Sequence, residues 1–102
     1  SLYRETNQGL IENVYTLKLL NKSQNDRTFK VSISGIEGAK YVGEAEVVVR
    51  GGGVYTLPIS VVTNPYSLTE EVTNFTFHVE TQDESGEIIK IQETSRFIFT
   101  DV

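Results

Sequence analysis

LIENVYTLKLLNKS, residues 10–23, is the stretch that decides the fold class. Tyr15, Leu17 and Leu19 share one parity while Thr16 and Lys18 take the other. That is the period-two pattern of a strand with one buried and one wet face. The polar stretch 21–26 predicts a hairpin-type connection to a second strand, Arg27–Ser34, in which Phe29, Val31 and Ile33 oppose Thr28, Lys30 and Ser32.

The same alternation recurs outward from this pair. GIEG, residues 35–38, ends the second strand, and the irregular piece up to Gly43 is expected to cross an end of the molecule with Tyr41 or Val42 filling the core. Residues 44–50 set Ala45, Val47 and Val49 against Glu46, Val48 and Arg50, and Gly51, Gly52 and Gly53 supply the positive φ angles of a tight turn. Residues 54–63 return with Leu57, Ile59 and Val61 on one face; Pro58 has no amide donor and belongs on an edge or at a bulge. Glu44 and Glu46 are charges of the kind that blunt an exposed edge.

Residues 64–67 read as a turn, and 68–72 have room for one helical turn at most. Residues 73–82 oppose Phe75, Phe77 and Val79 to Thr76, His78 and Glu80, and Asp83, Glu84, Ser85 and Gly86 turn the chain into a last strand, 87–100. There Glu93 and Ser95 share the parity of Ile89, Ile91, Phe97 and Phe99, which predicts a bulge or bend near residues 92–95. About seven strands at a spacing of roughly ten residues predict an all-β, antiparallel, two-sheet sandwich. The expected core is Tyr15, Leu17, Leu19, Phe29, Val31, Ile33, Val47, Leu57, Ile59, Phe75, Phe77, Val79, Ile91 and Phe97, within a single domain over residues 1–102.

Composition narrows the function classes. A chain of 102 residues without Cys, Met or Trp packs on aliphatic and aromatic side chains alone and has no thiolate with which to hold a metal. Its net charge of −5 is dispersed, and nine basic residues that never cluster argue against nucleic acid and against an anionic membrane surface. No apolar run approaches the roughly 20 residues of a membrane helix. The chain starts at Ser1, so it is read as a soluble fragment or processed product of a larger protein.

No group of residues forms a catalytic, cofactor or metal constellation. His78 is the only histidine, flanked by Thr76 and Glu80, and one imidazole with carboxylates is a poor zinc or copper set. A serine triad lacks its G-x-S-x-G elbow. The three glycines 51–53 run into a strand and not into the helix that a phosphate cradle requires. Asp83, Glu84 and Glu87 depart from the spacing of a calcium loop and read as an acidic turn, and Glu70 and Glu71 as solvated charges. Asn21-Lys22-Ser23 and Asn74-Phe75-Thr76 match the N-glycosylation pattern, a common one; Asn74 is discounted further because Phe75 beside it faces the core.

GLIENVYTLKLLNKS, the second strand ending in GIEG, the closing SRFIF of residues 95–99 and the opening SLYRET together resemble the C-terminal domain of the FixG family, also called CcoG or RdxA. The resemblance implies an immunoglobulin-like sandwich placed after the last membrane helix of an iron-sulfur protein, on the periplasmic side of a bacterial inner membrane. It implies association with assembly of a cbb-type oxidase and with copper handling. The iron-sulfur clusters would belong to the parent's membrane-linked part, so no cofactor-binding residue carries over to this chain. Members often finish with Gly-Pro after the last Phe-Ile pair; here the chain reads Phe99, Thr100, Asp101, Val102.

The resulting expectation is a non-catalytic interaction domain whose partners are oxidase-assembly proteins or its own membrane domain, with no small-molecule substrate. The alternative is a free adhesive or carbohydrate-binding sandwich, for which Tyr3, Tyr41, Tyr55 and Tyr66 are the available rings. A cupredoxin-like copper carrier is the third possibility, and it has only His78 to offer as a ligand.

Overall fold

Among the described residues eight strands are distributed between two antiparallel sheets. The structure, a computed structural model, describes residues 3–100. The strands are β1 (Arg4–Glu5), β2 (Ile11–Leu20), β3 (Arg27–Ser34), β4 (Lys40–Val42), β5 (Glu46–Val49), β6 (Val54–Thr63), β7 (Val72–Gln82) and β8 (Ile88–Ile98). One sheet has the order β1-β2-β6-β4 and the other β5-β3-β7-β8. The all-β antiparallel sandwich is therefore as expected, with the two-residue β1 and the three-residue β4 added to the strands anticipated.

The connections differ from expectation. From β2 to β7 each successive strand changes sheet, so residues 21–26 form a crossing between sheets and not a hairpin, as do the glycines after β5. Hairpins occur only at β1–β2 and β7–β8 among the described residues. Of the three glycines only Gly52 has a positive φ, +71°; Gly51 is required for space, since a Cβ there would stand 2.3 Å from the Gln24 carbonyl oxygen. Gly51 N–H donates to the Asp26 carboxylate and Gly52 N–H to the Ser23 carbonyl, so the two crossings clasp each other.

The turn expected at residues 64–67 is a single helical turn, Pro65–Ser67, and residues 68–72 hold none. Pro65 presets φ for the first position and Asn64 Oδ1 accepts the Tyr66 N–H, so this is where the local chemistry favours a turn. Pro58 lies on β6 below the end of β4, which pairs only with residues 60–62, so β6 is itself an edge at that point. Tyr41, not Val42, packs on the core.

The core closes around Ile11, Leu19, Phe29, Val31, Val47, Val49, Leu57, Ile59, Val61, Phe75, Phe77 and Phe97. Tyr15, Leu17, Ile33 and Val79 are half-buried against it. Tyr15, Phe75 and Phe77 form an edge-to-face triangle with centroids 4.9–5.5 Å apart. Ile91 is not in the core; it is 52% exposed. Nor is there a bulge at residues 92–95, because the β7–β8 register runs unbroken from Val72↔Ile98 to Gln82↔Ile88.

Both corrections have one cause. The sheets pack obliquely. Near its start β2 bonds to β8, through Asn13 and Tyr15; just past its end Asn21 bonds to Val49 on β5, the opposite edge of the facing sheet. The first half of β8 is thus left uncovered, and there Ile91 meets solvent and Glu93 is tolerated on the inner face.

Candidate functional site

Most of the polar groups picked out in the sequence either hold the fold together or stand exposed on its surface. His78 lies on the outer face of the β5-β3-β7-β8 sheet, between Ser32 and Gln92 on the neighbouring strands. Its Nε2 is 2.6 Å from Ser34 Oγ. Among the described residues no carboxylate hydrogen-bonds to the ring, so the pair lacks the third group that orients a histidine base towards a serine. Among the described residues no three His, Asp or Glu side chains gather closely enough to hold a metal ion.

The acidic turn is a knot of hydrogen bonds. Asp83 Oδ1 accepts from Ser85 N, Ser85 Oγ and Glu87 N at 2.7–2.9 Å, and Glu84 takes a two-pronged bond from Arg27, both contacts 3.0 Å. The Ser85 hydroxyl and the Glu87 amide hold Asp83 below the usual carboxylate range, and Arg27 does the same for Glu84. Glu70 and Glu71 are exposed; Glu71 contributes only its carbonyl, which accepts from Phe99 N.

The tyrosines do not form a sugar platform. Tyr41 OH donates to the Glu44 carbonyl and Tyr55 OH to the Glu44 carboxylate, while Tyr3 packs edge-on against Phe99 and donates to the Thr100 carbonyl. Tyr66 alone stands free of the surface, 95% exposed. Asn74 is exposed on β7, whereas Asn21 is buried and donates through Nδ2 to the carbonyls of Asn25 and Val49, which leaves no nitrogen available for a glycan in the folded domain.

Sequence reasoning missed the groups that join the sheets. Asn13, 4% exposed, donates through Nδ2 to the Ile98 carbonyl and accepts the Ile98 N–H at Oδ1. Tyr15 OH donates to the Arg96 carbonyl at 2.8 Å, and burial pushes that phenol's pKa up. With Tyr3 on the Thr100 carbonyl, three side chains meet backbone groups of the even-numbered residues at and just beyond the end of β8. The signal available was a single Asn on a core-facing parity, Asn13 in step with Ile11 and Tyr15.

What remains as a feature is the uncovered corner. A groove of about 190 Å³ opens between β2 and the first half of β8, floored by Leu17, Leu19, Phe29, Phe77 and Val79 and rimmed by Lys18, Ile91 and Glu93. On the other face of the sheet Glu46, Lys30, Glu80 and Lys90 stand opposite one another across four strands, alternating in sign.

The family model described as "IG-like fold at C-terminal of FixG, putative oxidoreductase" matches residues 1–100. The chain belongs to this FixG C-terminal family. A solved structure points the same way: a FixG-related protein from Vibrio parahaemolyticus is 32% identical, with a TM-score of 0.74, over 89% of this chain and 81% of that one. No curated protein matches the chain. The FixG resemblance and the immunoglobulin-like fold read from residues 10–23, 35–38 and 95–99 thus hold; Ser1, Leu2, Asp101 and Val102, which include parts of the terminal motifs, lie outside the described residues.

Proposed function

We propose that this domain is a non-catalytic interaction module of a FixG-type membrane iron-sulfur protein, held on the periplasmic side of the inner membrane. There it engages proteins that act with the parent in cbb-type oxidase assembly and copper handling, or the parent's own membrane domain. The observation that carries this is the match to the FixG C-terminal domain along residues 1–100. It is supported by side chains committed to architecture: Asp83 and Glu84 to a turn, Asn21 and Asn13 to the seams between sheets. In this reading the domain holds no cofactor of its own, and the iron-sulfur clusters belong to the rest of the parent.

Deleting the domain from the full-length parent tests this. Association with oxidase-assembly proteins, read by co-purification, should fall while the iron-sulfur absorbance per parent molecule stays unchanged. Loss of the clusters, or undiminished association, would refute it.

A further inference from the structure

We infer that the open first half of β8, together with the apolar groove beside it, is a strand-addition site for an extended partner segment that carries an acid facing outward and a base facing inward. This rests on the interaction role proposed above and names the surface that performs it.

Glu87 and Phe99 bond towards β7, Glu87 through its carbonyl to Asp83 N–H and Phe99 through its N–H to the Glu71 carbonyl. The register between them is unbroken, so the even-numbered residues of β8 turn their N–H and C=O groups away from the sheet. At Ile98 both outward groups are met by Asn13, and at Arg96 and Thr100 the outward carbonyls are met by Tyr15 and Tyr3. At Ile88, Lys90, Gln92 and Thr94 no group among the described residues meets them. The molecule caps one half of an edge with three side chains and leaves the other half bare, although an unpaired edge invites strand addition.

The two faces specify the visitor. On the outer face the alternation Glu46, Lys30, Glu80, Lys90 ends on a cation at the open side, so the next strand continues it with an acid opposite Lys90. On the inner face an apolar side chain opposite Ile91 covers the groove, and a base opposite Glu93 neutralises the charge at its rim. A second copy does not meet this pattern. Laid antiparallel about Ile91 it sets Glu93 against Ile89 and Lys90 against Gln92, and an axis at Lys90 or Glu93 sets like charges face to face.

The probe is a blocked synthetic peptide, Thr-Lys-Thr-Leu-Glu-Val-Thr, which when antiparallel to residues 88–94 places Lys opposite Glu93, Leu opposite Ile91 and Glu opposite Lys90. Titrated into the labelled chain, it should shift the backbone amides of Ile88, Lys90, Gln92 and Thr94 saturably. The same peptide with its Lys and Glu exchanged should bind about tenfold more weakly. Gln92→Pro removes an outward N–H that β7 does not use and should abolish the shifts; the exposed charge reversal Glu93→Lys, which leaves the backbone alone, should weaken the first peptide about tenfold.

No saturable shift, shifts elsewhere, or equal binding of the two peptides overturns the inference. Concentration-dependent shifts at the same amides without peptide overturn it in favour of a second copy. In the full-length parent, association that is lost on deleting the domain but kept in both Gln92→Pro and Glu93→Lys refutes this site alone. Association indifferent to the deletion refutes the interaction role itself.

Discussion

Asn13 Nδ2 donates to the Ile98 carbonyl at 3.0 Å while its Oδ1 accepts the Ile98 N–H at 2.9 Å, so a single side chain pairs with a backbone 85 residues away as another strand would. This joins β2 of one sheet to the edge of the other at a buried position. Asn13→Ala leaves both Ile98 groups unpaired, at about 1–3 kcal/mol for each group that water cannot reach. A fall in the melting temperature of roughly 10 °C is expected in thermal unfolding, with Asn13→Leu no better because the same two groups stay unpaired.

Thr63 points the other way. It is buried, and its Oγ1 has no hydrogen-bond partner among the described residues. Replacing it by Val removes an unpaired hydroxyl from an apolar setting, so Thr63→Val should raise stability by about 1 kcal/mol in denaturant unfolding.

Oblique packing of the sheets makes Leu57 and Ile91 unequal although both were expected in the core. Leu57 is 0% exposed and Ile91 52%. Leu57→Ala should cost about 3–4 kcal/mol and Ile91→Ala less than about 1 kcal/mol, read as midpoints of urea unfolding.

The crossing glycines separate space from conformation. At Gly51 a Cβ meets the Gln24 backbone, whereas at Gly52 it meets open space and the obstacle is the positive φ alone. Gly51→Ala should therefore destabilise by several times the roughly 1 kcal/mol of Gly52→Ala, with Gly52→Asn milder still.

The acidic turn carries a pH dependence of definite sign. Asp83 and Glu84 have folded pKa values below their ordinary ones. Stability from a depressed carboxylate is present above its unfolded pKa, near 4, and is lost as pH falls through the folded value. Asp83→Asn should thus cost stability at pH 6 and progressively less as pH falls through the folded value, measured by thermal unfolding across that range.

The strands were legible because period-two alternation is written in the side chains: Phe29, Val31, Phe75 and Phe77 all face inward as their parity requires. Which sheet each strand joins was not, since residues 21–26 and 51–53 read alike as turns whether they return to the same sheet or cross to the other. Parity also cannot tell how far the opposing sheet extends. That is why parity alone puts Ile91 in the core and makes Glu93 and Ser95 look like a bulge. Asn13 and Asn21 were opaque for a related reason, because their partners are backbone atoms remote in sequence.

The proposed role, a domain that presents a surface and performs no chemistry, is tested most directly by a copper titration of the chain that follows the His78 imidazole resonances. Weak, nonsaturating perturbation of a surface histidine is the predicted result. Tight binding of one copper ion, abolished by His78→Ala with the fold intact, would contradict it.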